Sequence, residues 1–93
     1  MPNPDLIERL SDLFMETGHA HHKAFIETDG NDPDWPLWYA EHLREPLGEH
    51  LDANFTKTQL VYLLVLADKQ QNLEAPGAKW PRYFARFFIE RYL

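Results

Sequence analysis

Two stretches 45 residues apart open in the same way: DWPLWYAEHL at 34–43 and KWPRYFARFF at 79–88 share Trp-Pro, then two aromatic residues, then alanine at one spacing. Proline at the first position of a helix loses nothing, because the N–H it lacks has no partner there and its fixed φ suits the first turn. Each Trp-Pro therefore marks a helix start, with the tryptophan placed to fold back over the end of a hairpin. Thr56-Lys57-Thr58-Gln59 marks a third start. It has the form of a capping box, in which each side chain satisfies the other residue's backbone N–H. Asn3 before Pro4, with Asp5 next, marks a fourth through an N-cap, a first-turn proline and a charge that suits the helix dipole.

Periodicity fills in the helices. At 100° per residue Leu6, Ile7, Leu10, Leu13, Phe14, Thr17, Ala20, His21, Ala24 and Phe25 share one arc, while Glu8, Asp12, Glu16, His19 and Lys23 lie outside it. ETDGNDPD at 27–34 reads as an exposed connection. In the second helix Trp38, Tyr39, His42, Leu43 and Leu47 share a face, and Pro46 denies an amide to the carbonyl of His42, which predicts a kink or break at 44–46. The run LVYLLVLA that follows the capping box is apolar all round, as expected of the most buried helix, and after Asp68 the chain turns polar and should leave the core. NLEAPGAK at 72–79 is the next connection. The last helix, carrying Tyr83, Phe84, Phe87, Phe88 and Tyr92 on one face, should run to Leu93. No alternating stretch with hairpin punctuation competes. The expected fold class is all-α: a single four-helix domain over 1–93, built from two quasi-repeated helical hairpins at about 4–52 and about 56–93.

Composition sets what such a domain can do. With 93 residues, 44% of them hydrophobic, the chain is long enough for one core and too short for two domains. The absence of cysteine removes disulfides, thiolate nucleophiles and cysteine-ligated metals. A net charge of -6 argues against nucleic acid and anionic membranes as partners, although Lys79, Arg82 and Arg86 beside Trp80 and Tyr83 imitate a basic aromatic patch. The charge is unevenly spread: residues 1–54 hold twelve acids and three basic residues, residues 55–93 three acids and six basic ones. Such a division draws the hairpins together or orients two chains. Without a basic leader, or an apolar run near the roughly 20 residues of a membrane span, the expectation is a cytoplasmic protein.

The one cluster suggestive of chemistry is Glu16-x-x-His19-Ala20-His21-His22, with His42 and His50 later. Histidines at i, i+3 can present two ligands on one helical face. A di-iron bundle needs two Glu-x-x-His motifs and two more inward glutamates, and here there is one motif with its glutamate outside the apolar arc. A mononuclear site would take His22 with Asp29 or Asp32 and with His42, since the hairpin returns its second helix past the end of the first. The plainer reading is preferred: His21, inside the apolar arc, is expected to be partly buried, hydrogen-bonded and packed against Trp38 or Tyr39. Neither metal nor cofactor is expected. Asp29-Gly-Asn-Asp32-Pro-Asp34 lacks the glycine and glutamate positions of an EF-hand, and Asp34 is expected to cap the helix after it. Ser11 is the single serine and has no glycine-rich elbow, and no phosphate-cradling glycine loop occurs.

The combination of AHHKAF, an acidic glycine-containing loop and DPDWPLWYAEHL resembles small bacterial helical proteins for which no activity is established. The resemblance covers residues 20–43, implies a recurrent hairpin and brings no catalytic residue with it. The leading functional expectation is an interaction or accessory domain, monomeric or homodimeric, that meets a protein partner or a second copy through Trp35, Trp38, Tyr39 and Trp80, because tryptophan and tyrosine dominate interface hot spots. Its alternatives are a metal or proton-transfer site centred on His19, His21 and His22, and a ligand-binding bundle with a pocket lined by Tyr62, Phe84 and Phe88.

Overall fold

The capping box forms as its spacing implies: Gln59 N–H donates to Thr56 Oγ1 at 3.1 Å and Thr56 N–H to Gln59 Oε1 at 3.0 Å. In the computed structural model, which describes residues 4–92, it opens the third of four helices, α1 (Pro4–Ala24), α2 (Trp35–Leu51), α3 (Lys57–Glu74) and α4 (Trp80–Tyr92). No strand occurs among the described residues, and the architecture is an all-α four-helix domain. Asn3, expected to cap α1, and Leu93, expected to end α4, lie outside the described residues. None of the described helices is long and apolar enough to cross a membrane.

Named contacts order the helices antiparallel around a ring. Between α1 and α4, Ile7 and Ile89 line one cleft while Gly18 lies against Trp80. Between α2 and α3, Glu41 pairs with Lys57 while Asp68 lies beside Trp35 and Tyr39. Between α3 and α4, Tyr83 O–H donates to Glu74. The closest packing is of α1 on α4 and α2 on α3, across the two sequence hairpins rather than within them. Both inter-helix Lys and Arg pairs also cross that seam, Arg82 to Glu8 at 3.0 Å and Lys57 to Glu41 at 3.2 Å. The opposite charges of the two halves thus meet within one chain. These pairs are exposed, so they orient the helices more than they stabilise them.

Although Ala24 at the helix end is exposed, the arc read on α1 is the buried one as far as His21, with Leu6, Ile7, Leu10, Phe14, Thr17 and His21 facing the core. Thr17 satisfies its hydroxyl there by donating to the Leu13 carbonyl at 2.7 Å. They meet Leu43 and Leu47 of α2, Leu60 and Leu64 of α3, and Phe84 and Phe88 of α4 in one continuous core. Three expectations are corrected. α2 runs unbroken through Pro46, because Leu43, Leu47 and Leu51 bury on either side of the lost hydrogen bond and hold the helix together. α3 is not buried all round: Tyr62 is 65% exposed, since a helix in a ring of four has one face without a neighbour. After Asp68 α3 does turn mostly outward, and the correction there is one residue: Gln71 is buried and donates to the Ala78 carbonyl at 2.8 Å, tying down the connection to α4.

The turn after α2 depends on a glycine. The N–H groups of Asp52 and Ala53 both return to the Gly48 carbonyl, with Asp52 in the left-handed region at φ 51°. A Cβ on Gly48 would stand 2.6 Å from the Ala53 carbonyl oxygen, a backbone atom fixed by that turn. Gly48→Ala is expected to lose about 1–2 kcal/mol in a denaturant titration, the clash outweighing the helix propensity that alanine adds. An unchanged or raised midpoint would mean that the 52–55 turn yields freely.

Candidate functional site

Antiparallel packing brings the ends of α1 and α3 and the starts of α2 and α4 to one end of the bundle, so both Trp-Pro starts arrive there. Trp35, Trp38, Tyr39 and Trp80, the four residues singled out in the sequence, form one half-buried aromatic cluster. Tyr39 is its centre, 5.4 Å from Trp35 at 85°, 5.9 Å from Trp38 and 6.1 Å from Trp80, the edge-to-face spacing that aromatic quadrupoles favour. Trp35, Tyr39 and Trp80 also pack on the core, whereas Trp38 does not. The Trp80 indole reaches Tyr39 by lying across α1, where a Cβ on Gly18 would stand 2.9 Å from its ring. A glycine in mid-helix is explained by that close approach.

Two concavities flank Trp80. A slot of about 160 Å³ is lined by Trp35, Tyr39, Trp80, Phe84 and Asp68. A wider groove of about 1150 Å³ shares Tyr39, Asp68 and Trp80 with it and continues past Met15, His19 and His22. In the alignment of the two Trp-Pro segments, Trp35 corresponds to Trp80 and Tyr39 to Phe84. The repeat therefore builds opposing walls of the slot, and Asp68 from α3 breaks its symmetry. The Asp68 carboxylate is half-buried and has neither a hydrogen bond nor an ion pair among the described residues.

The histidines separate into different roles. His21 lies as expected, buried against Trp38 at 5.2 Å and Tyr39 at 5.1 Å, with Phe25 at 4.8 Å on its other side. Its Nε2–H donates to Asp32 Oδ2 at 3.0 Å, the two side chains being only 8% and 9% exposed. Asp32 Oδ1 accepts from the Asp34 N–H at 3.0 Å, and the Asp32 carbonyl from the Trp35 N–H. Asp34 takes the N-cap position of α2 as expected but makes no side-chain cap, because its backbone is turn-like rather than extended, and it is Asp32 that closes the turn before the helix. The connection also contains an unforeseen 3-10 turn, Ile26–Thr28, followed by Asp29 and Gly30 with positive φ. Gly30 crosses His22, where a Cβ would fall 2.6 Å from the ring Nδ1.

The residues considered for a metal have other contacts: Asp32 is engaged by His21, His22 packs under Gly30, and His42 stacks on Trp38 at 5.0 Å and 11°. Among the described residues no group of three His, Asp or Glu side chains is arranged to hold an ion. The pocket expected between Tyr62, Phe84 and Phe88 does not form, since Tyr62 faces outward while Phe84 and Phe88 are 3% and 0% exposed. Ser11 Oγ is buried without a hydrogen-bond partner, so no base activates it.

Burial pushes the Tyr39 phenol above its ordinary value of 10.0. The folded chain then holds that proton more tightly than the unfolded chain, so its contribution to stability is complete below about pH 10 and is lost as pH rises through the raised value. Thermal unfolding between pH 9 and 11 should show a steeper alkaline loss than in Tyr39→Phe, and superimposable profiles would refute this.

Asp68 and Gly18 were missed as site residues in the sequence, and Asp32, considered there as a metal ligand, was missed as the partner of His21. The first two left a trace: Asp68 ends the apolar run, and Gly18 interrupts a helix with no local reason. No protein-family model, curated protein or solved structure matches this chain.

Proposed function

We propose that this protein is a small helical interaction module that works through the aromatic end of its bundle, with a second copy as the first partner to test. The observation that supports it most is the gathering of Trp35, Trp38, Tyr39 and Trp80, from two helices distant in sequence, into one half-buried patch beside an open groove. Large rigid aromatic side chains lose little conformational freedom on docking and carry most of the energy in protein interfaces. Trp38 is the residue that tests this reading, because it lies against His21 and His42 and outside the hydrophobic core cluster. Sedimentation of the wild-type chain across a concentration series should show self-association. Trp38→Ala should weaken it by about 2 kcal/mol, a hot-spot magnitude, while shifting thermal unfolding far less. A chain that stays monomeric throughout removes the second copy as partner. Equal losses of stability and association would make the ring part of the core.

A further inference from the structure

We propose that the slot between Trp35, Tyr39, Trp80, Phe84 and Asp68 is a binding site for a methylated ammonium head group, a deepening that rests on the reading of the aromatic end as the working surface. Three features of the slot select that chemistry. Four of its five lining residues are aromatic and stand nearly at right angles in pairs, Trp35 to Tyr39 at 85° and Trp80 to Phe84 at 83°, so that an open slot offers π-systems in more than one orientation to a ligand. A cation over such faces is attracted electrostatically, and a cation whose charge is spread over methyl groups also fills apolar space without leaving N–H donors unsatisfied. The one charged lining residue is Asp68, a half-buried carboxylate with no partner among the described residues, although Lys57 and Arg82 are paired elsewhere. An incoming cation finds in this carboxylate a counter-charge that no Lys or Arg of the described residues occupies.

Size restricts the ligand further. About 160 Å³ is well below the roughly 300–1,000 Å³ of sites that enclose a whole small molecule. The slot therefore takes a head group, while the rest of the ligand lies in the adjoining groove, which shares Tyr39, Asp68 and Trp80. An anionic ligand is disfavoured by Asp68 and by the net charge of -6. A neutral apolar one would leave the carboxylate without a counter-charge.

The test is a titration of the intact chain with choline, followed by tryptophan fluorescence, against 3,3-dimethylbutan-1-ol, which has the same shape with carbon in place of the charged nitrogen. Saturation by choline is expected with a dissociation constant of about 1 mM or below, and binding of the neutral alcohol at least about tenfold weaker. Asp68→Asn keeps the shape of the side chain and should weaken choline binding about tenfold with unchanged circular dichroism. Trp35→Ala should abolish it. A peptide carrying trimethyllysine, titrated in parallel, separates the two sources of this head group: tighter binding than choline assigns it to a modified protein, equal or weaker binding to a free small cation. The proposal is overturned if neither probe saturates, if the neutral alcohol binds as well as choline, or if Asp68→Asn binds unchanged. Self-association that still depends on Trp38 would in those cases leave the interaction reading standing.

Discussion

Phe14→Ala is expected to lose about 4 kcal/mol of folding stability, the largest effect of any single substitution considered for this chain. Phe14 is fully buried, and its ring stands 6.3 Å from Trp80, 5.7 Å from Phe84 and 5.8 Å from Phe88. It is the contact through which α1 holds the aromatic face of α4, the closest helix pairing in the fold. Truncation removes the transfer free energy of a whole ring and leaves a cavity walled by packed rings of α4, which have little freedom to collapse. Since a domain of this size has about 5–15 kcal/mol in total, the variant should unfold roughly 20 °C lower, read by circular dichroism. Leu73→Ala is the matched control. Leu73 is 85% exposed, and its loss should stay within about 0.5 kcal/mol. If both variants melted alike, the packing of α1 on α4 would not be what holds the fold.

Asp32→Ala is expected to lose about 2–3 kcal/mol, from a residue in a connection that composition alone marks as solvent-exposed. The loss has two parts. His21 would keep its buried ring between Phe25, Trp38 and Tyr39 without the carboxylate 3.0 Å from its Nε2, and the Asp34 N–H would lose its acceptor. Amide exchange at Asp34 and Trp35 should accelerate more than at Leu64, in the fully buried part of α3. His21→Phe tests the partner. It removes the imidazole but keeps an aromatic ring, and in the double variant the combined loss should fall short of the sum of the single losses by about 1 kcal/mol or more. Strict additivity would show that the two side chains act independently.

The His21 and Asp32 pair illustrates how far a sequence can be read. Burial of His21, its hydrogen bond and its aromatic neighbours follow from its place in an arc with Leu10, Phe14 and Thr17, because helical periodicity is a local property. The identity of its partner does not follow. Asp29, Asp32 and Asp34 are equivalent by composition, and the choice among them was made by a 3-10 turn and two positive φ values in the connection. For the same reason the turn before α2 is closed by Asp32, while Asp34 at the N-cap position makes no side-chain hydrogen bond. The aromatic cluster shows the same division: the two Trp-Pro starts were legible as helix starts, but their arrival at one end depends on all four helices packing antiparallel.

The helices, their starts at Trp35, Lys57 and Trp80, and the inward face of α1 were therefore determined by the sequence alone, since caps, prolines and the 3.6-residue period act over a few neighbouring residues. Tertiary structure decided the pairing of α1 with α4 and α2 with α3, the outward turn of Tyr62, and the meeting of Trp35, Trp80 and Asp68 around one slot. Those outcomes depend on which apolar faces fit together across the ring, a matter of shape between residues tens of positions apart, and no local pattern records it.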